Sequence, residues 1–210
     1  ALALSTFDLT PARDATVDRH PEAFSLLWVG RVVPEKGVET AIRGLGRVRR
    51  RAPETNATLT IVGPAQQHVL RQLQALAEQQ HVGPYVKLAG AVNPGQIPSL
   101  YTDYDAFLFT STLPESFGRV LVEAMASGLP VVSTMSTGAA REILDDGRCG
   151  LVFAPDDPDD LANQILRLAK DTDLRQQLSR IGRARACQLF DIERMTDGIE
   201  SFLHNIALAQ

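Results

Sequence analysis

The chain has 210 residues, 44% apolar and 22% charged, which is the balance of a globular domain large enough to bury a sizeable core. Its formal net charge of -4 excludes the global basic field of a nucleic-acid binder, so any anionic ligand must be met by local cations. Two cysteines and four scattered histidines form neither a disulfide framework nor a transition-metal spacing, and no apolar run reaches the roughly 18 residues of a membrane span.

Residues 1–22 mix Thr, Asp, Pro and Arg without periodicity and read as a connector; with no basic stretch and no long apolar run, they do not read as a signal peptide. Residues 24–29 then form a continuous apolar run, the pattern of a strand buried on both faces. Val38, Ala41, Ile42, Leu45 and Val48 follow at helical spacing. The alternation repeats. Strands are expected at 59–62, 85–88, 106–109, 130–134 and 150–153. Helices are expected around 69–77, at 96–102, from about Phe117 to Ser127 with Gly128 just past the end, and at 139–144. Residues 159–170, 174–186 and 192–208 read as helices only. Strands alternating with helices define an α/β fold with a doubly wound, Rossmann-like parallel sheet, occupying residues 23–190 and followed by a terminal helix in 191–210.

In such sheets ligands lie at the carboxyl ends of the strands. Those ends are loops 30–37, 63–65, 90–93, 110–118 and 133–138, and three of them begin at a glycine, which suits close approach of backbone to a ligand. Gly30 is followed by Arg31 and Lys36, two cations on the way into a helix N-terminus. Such a pair either neutralises a diphosphate or is two solvated surface charges, and the position at the carboxyl edge favours the diphosphate. In the fourth loop, Glu115 precedes Ser116, Phe117, Gly118, Arg119 and Val120, where the first turn of a helix offers N–H groups without intrahelical acceptors. Glu123 lies eight residues beyond Glu115, about 12 Å of rise if helical. That is too far to share a proton and suits two separate diols on one extended ligand. Glu123 also sits in the apolar run 120–126, where a carboxylate without a partner is costly, so something must bond to it. A dehydrogenase is excluded because no Gly-x-Gly-x-x-Gly follows the first strand.

Two charged tracts have simpler readings. Arg47, Arg49, Arg50 and Arg51 suit a helix C-terminus better than a lipid surface. Asp156, Asp157, Asp159 and Asp160 around Pro158 suit a helix cap better than calcium.

The segment 114–132, with its two glutamates eight residues apart, resembles the Glu-x7-Glu motif of the family-four retaining glycosyltransferases of the GT-B fold. Residues 29–37 are similar to that family's first phosphate-binding segment, and 138–142 with Asp146, Gly147 and 150–152 to its third block; the match runs in order over about 24–204. The resemblance implies the donor-binding half of such an enzyme, taking a nucleotide diphosphate sugar as donor and a hydroxyl as acceptor. It implies that Arg31 and Lys36 neutralise the leaving diphosphate and that Phe117, Gly118 and Val120 present N–H groups to the phosphates or the sugar. Glu115 would hold the hexose and Glu123 the ribose. Gly63 and the loop of Gly90, Ala91, Val92 and Asn93 would border the nucleotide and its base. No cofactor or metal is implied. The departures are Pro64-Ala65, where the family often has a second glycine, and Gly138-Ala139, where it often has paired glycines.

The family's acceptor-binding N-terminal half is expected as a partner, with residues 1–21 as the end of that half plus linker. Ile192, Met195, Ile199, Phe202 and Ile206 would form the stripe that crosses to it, or that invites self-association if exposed. The alternatives are a nucleotide-sugar epimerase of the same fold and a non-catalytic nucleotide-sugar sensor or protein-interaction module. The reducing setting implied by two isolated thiols is cytoplasmic, with the arginine tract leaving the inner face of a membrane as a peripheral site.

Overall fold

The computed structural model describes residues 23–113, 117–135 and 138–191, together with Ala3, Phe7 and Thr196. Six strands form one all-parallel sheet: β1 (Ser25–Val29), β2 (Thr58–Val62), β3 (Val86–Gly90), β4 (Ala106–Phe109), β5 (Val131–Thr134) and β6 (Leu151–Phe153), in the order β3-β2-β1-β4-β5-β6. The order reverses between β1 and β4, and there the loops leaving the two strands turn to opposite faces and open a crevice.

The helices sort by face. One face carries α1 (Val38–Arg51), α2 (Gln67–Gln79) and α6 (Pro158–Lys170), packed on Leu26, Trp28, Leu59 and Ile61. The other carries α3 (Ile97–Tyr101), α4 (Arg119–Ala126), α5 (Gly138–Ile143) and α7 (Thr172–Leu189), packed on Leu27, Val29, Phe107, Phe109 and Val131. The period-2 alternation of the strands sends neighbouring residues to these two cores, and this explains why the central strands β1 and β4 read as almost wholly apolar sequence, whereas β3 at the sheet edge carries the exposed Lys87.

The helical stripe read in α1 is buried throughout, at Val38, Ala41, Ile42, Leu45 and Val48. Asp157 caps α6, its carboxylate accepting from the N–H groups of Asp159 and Asp160 with Pro158 at the first position, so the acidic tract is a cap. The arginine tract is largely engaged within the fold. Arg47 and Arg51 bond Asp159, Arg51 also bonds Asn163, and Arg49 bonds the Ala57 carbonyl and lies over the Tyr85 ring at 3.2 Å. Phe7, read as connector, is buried against the second core with its ring 6.2 Å from that of Tyr101. The rest of the connector, apart from Ala3, and the stripe from Ile192 to Ile206 lie outside the described residues. Among the described residues, no helix is long and apolar enough to cross a membrane.

Candidate functional site

The crevice between β1 and β4 holds a cavity of about 200 Å³ lined by Trp28, Val29, Gly30, Arg31, Lys36, Leu108, Phe109, Thr110, Ser111, Arg119 and Val120. It lies where the strand order predicts a ligand. Of the residues singled out by sequence, Gly30, Arg31, Lys36, Arg119 and Val120 meet there. Glu115 and Ser116 lie outside the described residues.

Two loops are tied together to make this wall. Trp28 donates its indole N–H to the Thr110 hydroxyl at 3.0 Å, and Thr110 donates in turn to the Lys36 carbonyl at 2.8 Å. Thr112 N–H donates to the Glu35 carbonyl at 2.9 Å. Gly37 caps α1 in the left-handed region (φ 65°), and a Cβ there would fall 2.0 Å from the Thr110 carbonyl oxygen. The segment carrying Arg31 and Lys36 is thus closed down onto the end of β4. The Thr134 hydroxyl extends the same network to the Ser111 carbonyl at 2.6 Å. Sequence reasoning did not single out Trp28, Thr110 or Ser111. Their partners lie far away in the chain, and only the strand order, with β4 beside β1, brings them together.

The helix behind the cavity begins later than the sequence suggested. It runs from Arg119, not Phe117, because Gly118 adopts φ 68° and ψ 47°, left-handed values that cap the helix instead of continuing it. The N–H groups of Arg119 and Val120 then belong to the first turn, while that of Leu121 bonds the Gly118 carbonyl at 2.9 Å. Phe117 leaves the cavity wall and sets its ring edge-on to Phe190 at 5.7 Å.

Gly63 has a reason within the fold itself: a Cβ on it would lie 1.7 Å from the Gly30 carbonyl oxygen, so the neighbouring backbone alone requires glycine there. Its N–H bonds the Gly90 carbonyl at 2.8 Å, so loops 30–37, 63–65 and 90–93 form one continuous edge. Gly63, Gly90, Ala91, Val92 and Asn93 border that edge on the β3 side and do not line the cavity. Around Gly90 (φ 70°) there is open space.

Glu123 is buried, with 4% exposure, and both its oxygens have partners: Oε2 accepts from the Tyr101 hydroxyl at 3.1 Å and Oε1 from Arg119 Nε at 2.7 Å. The carboxylate in the apolar run does have the partners that burial demands, and the fold itself supplies them. Tyr101 has its phenol pKa held well above the ordinary value, first by burial and then by the charge of Glu123, so it remains a hydroxyl donor. Among the described residues, no cluster of three His, Cys, Asp or Glu side chains is arranged to hold a metal ion.

A doubly wound sheet with a cation-lined crevice at its switch point defines a Rossmann-like ligand-binding domain, here of the kind found in GT-B glycosyltransferases. The Glycosyl transferases group 1 family model matches residues 15–185, and the chain belongs to that family. It is 30% identical over 167 residues to the D-inositol 3-phosphate glycosyltransferase of Paenarthrobacter aurescens, covering 80% of this chain and 40% of that protein. It is 33% identical over 166 residues to the glycogen synthase of Mycobacterium tuberculosis, covering 79% and 39%. Among solved structures, Anabaena HepE in complex with UDP and glucose superposes with a TM-score of 0.78 at 30% identity, covering 88% of this chain and 49% of that one. The C-terminal domain of a group 1 glycosyl transferase from Francisella tularensis shares the fold with a TM-score of 0.69, covering 80% and 87%. The chain thus spans about two fifths of the length of the curated relatives it matches.

Proposed function

We propose that this chain is the donor-binding half of a retaining hexosyltransferase, taking a nucleotide diphosphate sugar into the crevice between β1 and β4. The observation that carries the reading is the meeting of Arg31, Lys36 and the first turn of α4 around one cavity at the switch point. Two side-chain cations and the N–H groups of a helix end are what a diphosphate needs in a protein whose overall charge is negative. The UDP complex of the similar Anabaena protein supports a nucleoside diphosphate as the ligand class.

In this reading Arg31 and Lys36 stabilise charge as it develops on the leaving diphosphate. The strap through Thr110 and Trp28 holds them preorganised, so little reorganisation is needed during the reaction. Glu115 holds hexose hydroxyls, and Glu123 keeps acceptor capacity for the ribose, since two of its four lone-pair positions are used by Tyr101 and Arg119. Attack by the acceptor hydroxyl on the face the diphosphate leaves retains the anomeric configuration. In this reading the acceptor is held by a half that this chain does not match, so the chain alone binds donor without transferring it. No metal takes part, because Arg31, Lys36 and the helix end supply the positive charge.

A thermal-shift titration with UDP, GDP and ADP in the absence of metal tests the reading. At 100 times its dissociation constant a diphosphate adds about 2.7 kcal/mol, roughly 5–10 °C for a chain of this size. One of the three is expected to give that shift, with a much smaller one for Glu123→Ala. No shift with any of them at millimolar concentration would refute donor binding by this chain, and acceptor glycosylation by the chain alone would refute the division of labour.

A further inference from the structure

The two groups that hold Glu123 are unlike each other. Arg119 has 72% of its side chain exposed and forms part of the cavity wall. Its guanidinium, unlike a buried partner, has solvent to turn to when the pair opens. Tyr101 is 1% exposed, and its ring is fixed edge-on to Phe107 at 5.7 Å with Phe7 on another side at 6.2 Å. Its hydroxyl meets Glu123 Oε2 at 3.1 Å and lies 3.4 Å from the Val120 carbonyl in the preceding turn of α4. A phenol immobilised by ring packing loses no further freedom when it bonds, so the orientation it imposes on a carboxylate is permanent.

We propose that Tyr101 is a positioning residue: it fixes the Glu123 carboxylate from the core side in the one orientation that accepts the ribose hydroxyls of the donor, while Arg119 occupies the exchangeable side. The inference rests on the donor-site reading above. Oε2 is anchored by a group that no ligand displaces. Oε1 is paired with a group the ligand can move, so binding exchanges the Arg119 bond for a hydroxyl without turning the carboxylate.

The test compares dissociation constants of the full chain for UDP, GDP and ADP with those for their 2′,3′-dideoxy counterparts, which offer Glu123 no ribose hydroxyl. The readout is the ratio of dideoxy to ribo affinity, in which any loss of folded protein cancels. The wild type is expected to favour the ribonucleotide roughly tenfold, the scale of one hydrogen bond to a charged group. Tyr101→Phe is expected to bring the ratio close to one while changing the affinity for the dideoxynucleotide by less than about twofold. The Tyr101→Phe, Glu123→Ala double variant, which buries no unpaired carboxylate, is expected to match Glu123→Ala, since one residue acting through another is not additive. A wild-type ratio preserved in Tyr101→Phe overturns the positioning role and leaves the donor site standing. A wild type that binds diphosphates with a ratio near one overturns ribose recognition by Glu123 and the proposal with it. A wild type that binds none of the three overturns the donor-site reading itself.

Discussion

Thr110→Val tests the strap that shapes the site. The substitution keeps the shape of the side chain and removes one hydroxyl. That hydroxyl accepts from the Trp28 indole N–H at 3.0 Å and donates to the Lys36 carbonyl at 2.8 Å; Thr110 is 1% exposed and Trp28 3%. The indole N–H is left buried without its acceptor, at a cost of about 1–3 kcal/mol, and the loss of the partly buried bond to Lys36 adds about 1 kcal/mol. The sum is about 2–4 kcal/mol, which for a chain of this size lowers the melting temperature by roughly 5–15 °C. Urea denaturation followed by tryptophan emission measures it directly, because Trp28 is the only tryptophan in the chain and reports from the strap itself. Thr110→Ser, which keeps the hydroxyl, should recover most of the loss. A Thr110→Val cost under about 0.5 kcal/mol would refute the claim that these bonds hold the loop carrying Lys36 to the end of β4.

Gly63→Ala should prevent normal folding or cost more than about 4 kcal/mol, because its Cβ would lie 1.7 Å from the Gly30 carbonyl oxygen; the yield of folded protein and its denaturation midpoint check this. Asp157→Ala removes the acceptor of two α6 N–H groups and should cost about 1 kcal/mol by denaturant titration. Cys187 is exposed and Cys149 buried, and burial raises the Cys149 thiol pKa. A maleimide at neutral pH should therefore label one thiol per folded chain and two per unfolded chain. The raised pKa also means that the unfolded chain ionises first, so the contribution of Cys149 to stability is full below the ordinary thiol range and declines as pH rises through it.

The fold was legible because its signals are local and repeated. The central strands are runs of residues buried on both faces, and from β1 to β6 helices alternate with them. The stripe of Val38, Ala41, Ile42, Leu45 and Val48 marks a helix whichever way it packs. The acidic tract was legible for the same reason, since Asp157 caps N–H groups only two and three residues away. The site was half legible. Arg31 and Lys36 follow a strand directly, so their place at the carboxyl edge follows from the alternation alone. Tyr101 and Glu123 are 22 residues apart and Trp28 and Thr110 are 82 apart, and such pairings depend on which strands lie side by side. The start of α4 was misplaced because Gly118 can continue a helix or cap one, and only its left-handed backbone decides between them. The packing demand on Gly63 was not legible, because its neighbour, the Gly30 carbonyl, comes from the adjacent strand's loop.

Tryptophan fluorescence is the most direct test of where the donor binds. Trp28 lines the cavity and is the sole tryptophan, so a ligand entering between β1 and β4 must change its surroundings. Titration of the chain with UDP, GDP and ADP in the absence of metal should give a saturable change in Trp28 emission with one of them, abolished in the Arg31→Ala, Lys36→Ala double variant. An emission that stays constant while calorimetry records binding, or a response that survives loss of both cations, would contradict a diphosphate site at the switch point.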